Sequence, residues 1–123
     1  MWPFKRNKRD FPKPEWPPIQ NLDSVDVVGK RHDGTVELVI VASQPLDDAP
    51  ETLDSIRKKV ETYLETIGIK AFQAEMGHPP REKTVIILVC EHPIHSRAMG
   101  VIEECKVTAS DQRIRLELRK TMG

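Results

Sequence analysis

A chain of 123 residues with 38% hydrophobic and 31% charged side chains is sized for one domain, and needs no metal or disulfide merely to hold a core. Its 19 basic and 19 acidic residues cancel, which argues against nucleic acid as the main partner, because counterion release needs a positively charged surface. No stretch approaches the ~20 apolar residues that cross a bilayer, and the N-terminus lacks the apolar core of a secretory signal, so a soluble, cytoplasmic protein is expected.

Residues 1–23 differ in composition from the rest and read as a flexible arm, leaving 24–123 as a single α/β domain. Prolines 3, 12, 14, 17 and 18 remove backbone donors and fix φ, so neither a helix nor a central strand runs through the segment. Through Pro18 it carries Lys5, Arg6, Lys8, Arg9 and Lys13 against Asp10 and Glu15, a net +3 that leaves −3 for the remainder. Four aromatic residues, Trp2, Phe4, Phe11 and Trp16, accompany those charges.

The domain opens with a hairpin signal. Val25–Arg31 and Thr35–Ala42 flank His32-Asp33-Gly34, and Asp-Gly suits a type I′ turn. That turn sets Lys30 opposite Glu37. It puts Val25, Val27, Leu38, Ile40 and Ala42 on a core face, and Val28, Val39 and Val41 on the other face with Asp26, Lys30 and Glu37. Asp48-Ala-Pro-Glu51 then reads as a helix start with Asp48 as cap. Leu53, Ile56, Val60, Tyr63/Leu64 and Ile67 follow at helical spacing, and Gly68 is the stop. Residues 69–82 stay unassigned, although 71–76 suit a helical turn.

Thr84–Cys90 is apolar on both faces, the mark of a central strand. Pro93 opens a second helix with Ile94, Ala98, Val101/Ile102 and Cys105 as its buried stripe. Arg113–Arg119 alternates, with Ile114, Leu116 and Leu118 inward and Arg113, Arg115, Glu117 and Arg119 outward. The order β-β-α-β-α-β, with right-handed crossovers, predicts a two-layer α/β (α+β) sandwich, its four-stranded mixed sheet carrying two helices on one face. The other face needs cover over Val28, Val39 and Val41, from the aromatics of the arm or from a second copy of the chain.

Several of these segments together resemble a family of small bacterial proteins catalogued as a domain of unknown function: Val25-Asp26-Val27-Val28-Gly29, the strand Val36–Val41, the acidic pair Asp47-Asp48, and the helix body through Val60-Glu61-Thr62-Tyr63-Leu64. The resemblance implies bacterial origin and a similar α/β fold, and it carries no activity, cofactor or catalytic residue with it.

One cluster has residue types suited to chemistry, Cys90-Glu91-His92-Pro93-Ile94-His95, at the carboxyl end of the central strand where α/β sheets tend to bind ligands. His92 and His95, three apart, suit a zinc ion with Glu91 or Cys90 nearby. The plainer reading makes Cys90 a reduced core thiol, His92 a turn residue and His95 a helix cap. Asp47 and Asp48 read as cap and dipole partners. No glycine-rich phosphate loop, nucleophile elbow or paired Cys-x-x-Cys is present. The favoured expectation is a non-catalytic protein-interaction or regulatory module without a cofactor, working through Val28, Val39, Val41, Trp2, Phe4 and Trp16, as a homodimer or with a protein partner. The alternatives are a metal-binding protein or small metal-dependent enzyme built on His92, His95 and Glu91, and an adaptor whose basic arm touches an anionic membrane surface.

Overall fold

The computed structural model of the chain describes residues 18–121. Four strands, β1 (Val27–Lys30), β2 (Val36–Ala42), β3 (Thr84–Cys90) and β4 (Arg115–Arg119), form one sheet in the order β1-β2-β3-β4. The first pair is antiparallel and the next two are parallel. The expected four-stranded mixed α+β sheet is therefore present. Helices α1 (Pro50–Ile67) and α3 (Ser96–Asp111) make the two crossovers. A third helix, α2 (Lys70–Met76), occupies part of the unassigned stretch and corrects the expected count of two. It ends in a Schellman motif: Gly77 takes φ 82°, its N–H donates to Ala74 O, and the His78 N–H donates to Gln73 O at 2.7 Å.

The hydrophobic pattern settles which face is core. Leu38, Ile40, Ile86, Leu88, Cys90 and Leu116 point from the sheet into a cluster completed by Ile56, Val60, Tyr63 and Ile67 of α1 and by Ala98, Val101, Ile102, Cys105 and Ala109 of α3. All seven residues of β3 are buried, as its continuous apolar run requires. Phe72 and Met76 of α2 pack against the same cluster. The opposite sheet face carries a second, smaller cluster of Val39, Val85, Ile87 and Val89, made of sheet residues alone.

The hairpin differs from its expected form by one register step. Arg31 N donates to Thr35 O at 2.8 Å and Gly34 N to Arg31 O at 3.0 Å, with Gly34 at φ 91°. This is a three-residue loop needing one left-handed residue, where a type I′ turn would need two. The Asp33 carboxylate completes it by accepting from Thr35 N at 2.9 Å. Lys30 consequently pairs with Val36, and Val28 with Leu38. A one-residue slip exchanges faces, so Val28 lies on the helix side, lining a shallow groove with Phe72 and Met76. Val27, expected on the core face, lies instead opposite Val39 on the helix-free face. Glu37 pairs instead with Arg31, at 3.2 Å.

Among the described residues, contact with the body of the fold is already present at Pro18 and Ile19. Ile19 is 1% exposed within the main cluster, and Pro18 O accepts from Ser43 N at 2.8 Å. Residues 18–26 run as a strap against α1. The arm residues Trp2, Phe4, Phe11 and Trp16 lie outside the described residues.

Candidate functional site

Three places in the fold have the polar or exposed character that function requires. The first lies at the carboxyl ends of β2 and β3. Leu46 and Ile94 form a parallel bridge beyond the strands, with Leu46 N donating to Pro93 O at 3.1 Å and His95 N to Leu46 O at 2.8 Å. Zipping the two loops together brings Asp47 and Asp48, before α1, beside His95, before α3.

Each of these residues is engaged locally. His95 is the N-cap of α3, its Nδ1 accepting from Arg97 N at 3.0 Å; the helix thus starts at Ser96, after the expected Pro93. That hydrogen bond leaves Nε2 as the nitrogen facing Asp48 Oδ2, 3.8 Å away. At α1 the N-cap residue is Ala49, with Pro50 in the first turn. The carboxylate serving this terminus is Asp47, not the expected Asp48: Asp47 Oδ1 accepts from Ala49 N at 3.1 Å. Hydrogen bonding to the Thr52 side chain, then to Ala49 N, holds Asp47 below its ordinary pKa.

The rest of the sequence cluster is dispersed. Cys90 is fully buried and its thiol donates to His92 O at 3.4 Å, so the sulfur turns into the core. Glu91 and His92 are exposed. Among the described residues, no three His, Cys, Asp or Glu side chains are grouped to hold a metal ion.

The second place was missed in the sequence. Lys59 of α1 is completely buried, and its ammonium donates to the carbonyls of Gln20 (2.8 Å), Asn21 (2.6 Å) and Ser24 (2.8 Å) while lying 2.9 Å from Asp26 Oδ2. The Tyr63 ring centroid is 5.5 Å from the same nitrogen, within cation–π range. Tyr63 Oη donates to Val39 O at 2.6 Å and accepts from Asp26 N at 3.2 Å. Thr62 Oγ1 adds a bond to Leu22 O at 2.6 Å. The arrangement is a clamp that fixes the strap on α1 and aligns the entry to β1. A signal was available: Lys59 stands three after Ile56 and four before Tyr63, inside the apolar stripe of α1.

The third place is the helix-free sheet face. Val39, itself buried, sits between Val27, 42% exposed, and Val41, 46% exposed, with the buried Val85, Ile87 and Val89 beyond it. Of the three valines expected on this face, Val39 and Val41 are there and Val28 is replaced by Val27. Charges at the borders of the face are paired: Arg31 with Glu37, and Glu117 with Arg115 at 2.6 Å and Arg119 at 2.9 Å. The Arg119 hydrogen bond, supported by Arg115, holds Glu117 below its ordinary pKa. The arginine row of β4 is thus not a free cationic surface.

Among the described residues no helix is long and apolar enough to cross a membrane. Searches of curated proteins and of solved structures found no significant match. A family profile does match, over residues 18–121, the same span whose packing runs from the strap to the end of β4. On that match the chain belongs to the family of unknown function DUF6572.

Proposed function

We propose that this protein is a non-catalytic interaction module whose contact surface is the helix-free face of the sheet, and that its partner is a second copy of the chain. The observation that carries the reading is the pair of exposed valines, Val27 and Val41, flanking Val39 and continuous with Val85, Ile87 and Val89. An apolar strip on a sheet face, bordered by self-paired charges, suits an interface centre with a polar rim. A two-fold pairing of such faces is self-complementary, as an isologous dimer requires. The strand-end residues favour no catalytic reading, because Asp47 and His95 are committed to the starts of α1 and α3. A zinc ion on His95 Nε2 would move the imidazole proton to Nδ1 and so break the cap that Nδ1 accepts from Arg97 N. The reading places the protein in the bacterial cytoplasm, in keeping with its two free thiols, Cys90 and Cys105.

The test is sedimentation velocity of the full chain from micromolar to millimolar concentration, beside Val41→Glu. A reversible dimer, weakened by an order of magnitude or more in the variant, is expected. A monomer throughout, in the full chain and also in a variant with Trp2, Phe4, Phe11 and Trp16 all changed to Ser, would overturn it.

A further inference from the structure

Among the described residues the sheet ends at β4, so this strand has one open edge. Alternate residues of a strand direct their backbone N–H and C=O groups to opposite edges, and within Arg115–Arg119 one such set faces away from β3. Alongside that edge lies a cleft of about 600 Å³, walled by the last turns of α3 and by the short 3-10 turn Arg81–Lys83. Ile114 and Leu116, both buried, give the cleft an apolar lining. Its charged lining is Arg81, Lys106, Arg113 and Arg115 against the carboxylate of Glu82.

Two of these cations are already committed, Lys106 to Glu103 at 3.2 Å and Arg115 to Glu117 at 2.6 Å. The other two are held more loosely. Arg81 Nη1 donates to a neutral acceptor, Gln112 O, at 3.1 Å, and Arg113 meets Glu82 at 3.7 Å with 73% of its side chain exposed. Arg113 also stands in the left-handed region, at φ 63°, where glycine would carry no strain. The turn there is closed by the backbone N–H groups of Arg113 and Ile114, so it has no need of an arginine side chain. A strained residue whose side chain does little for the fold points to a role for that side chain beyond the fold.

We infer that the cleft beside β4 docks an extended, acidic peptide segment of a partner protein, which adds a strand to the open edge and sets a carboxylate against Arg113 and Arg81. Backbone pairing along an edge supplies affinity in such docking, and side-chain pockets supply selectivity. The excess of cations in the lining selects an acidic segment, and guanidinium groups suit carboxylates in particular. A second copy of β4 fits less well, because it would bring two such cationic clefts together. This surface is separate from the helix-free face, and the inference does not rest on self-association.

The test is fluorescence anisotropy of the full chain with a labelled hexapeptide alternating glutamate and valine, beside its lysine–valine counterpart. The acidic peptide should bind at least tenfold more tightly. Arg113→Gly should weaken it five- to tenfold while the urea midpoint rises, and opposite movements of that kind exclude simple unfolding as the cause. Two further peptides, N-methylated at the glutamates or at the valines, test the strand addition. One of them should lose binding, because only one set of amides faces β4. Equal binding of the two methylated forms would overturn the inference, as would no preference for the acidic peptide or no effect of Arg113→Gly. Self-association that the acidic peptide dissolves would assign the edge to a second copy and overturn it too. Dimerisation through the valine face is read separately, from Val41→Glu, so either proposal can fail alone.

Discussion

The Lys59 ammonium lies 2.9 Å from the Asp26 carboxylate and donates to three carbonyls of the strap that precedes it. Four acceptors surround a group with three protons, so the cation is fully engaged and the strap's carbonyls depend on it. Asp26 keeps 34% of its side chain exposed, whereas Lys59 keeps 1%. Losing the two partners therefore has unequal consequences. Lys59→Met should cost about 3–5 kcal/mol, because it leaves three strap carbonyls and a carboxylate without their buried cation. Asp26→Asn should cost less, about 1–3 kcal/mol, since the three carbonyls still hold the ammonium. Urea unfolding of both variants and the double mutant checks the order. Equal losses would mean that the ion pair, and not the carbonyl cage, anchors the strap.

Arg113 and Gly77 occupy equivalent backbone positions with unequal suitability. Both follow a helix in the left-handed region, at φ 63° and 82°. After α3, Arg113 N donates to Ser110 O and Ile114 N to Ala109 O, both at 2.9 Å, completing a Schellman motif with arginine where glycine is preferred. The side chain offers little in return, for its contact with Glu82 is 3.7 Å long and mostly exposed. Arg113→Gly should raise stability by about 1 kcal/mol, read as a higher urea midpoint at unchanged slope. Gly77→Ala should lower it by a similar amount or more, since a Cβ there would also stand 3.1 Å from Lys30 Nζ.

What could be read in the residues, and what could not, divides on local against non-local causes. The apolar run of β3, the stripe Ile56–Val60–Tyr63–Ile67 of α1 and the alternation of β4 each declare themselves within a few residues, and each was expected in its right layer. The hairpin register was missed because Asp33-Gly34 satisfies two loop types; the Asp33 side chain selects the three-residue form by binding Thr35 N. That single choice moved Val28 from one face to the other. Helix α2 has no fully buried residue, and its sequence pattern was correspondingly weak. The Lys59 clamp depends on carbonyls more than thirty residues away, which no local pattern announces.

The two cysteines should be inert in the native protein. Cys105 is 5% exposed, and burial, reinforced by Glu104, pushes its thiol up to about 11. At neutral pH only about one such thiol in ten thousand is ionised, and the thiolate is the nucleophile. Cys90 has no exposed surface. Iodoacetamide at neutral pH should therefore leave both unlabelled on the timescale that labels them fully in denaturant, with peptide mass spectrometry as the readout. Rapid native labelling of Cys105 would show that the groove between α1 and α3 opens.

Acid should destabilise the fold through identifiable carboxylates. Asp33 is held low by the Thr35 backbone N–H, Asp47 by the Thr52 side chain and Glu117 by Arg119. A carboxylate whose folded pKa is depressed binds fewer protons in the native state than in the unfolded chain, so stability rises with pH through that interval. Its contribution is complete above about pH 5 and is lost as pH falls below about 4 toward the folded value. Urea midpoints from pH 7 down to 3 should thus be flat at first and then fall. Asp47→Asn and Glu117→Gln should each lower the midpoint at neutral pH and flatten the acid limb, since the replaced group no longer titrates. An unchanged acid limb in both would locate the pH sensitivity elsewhere.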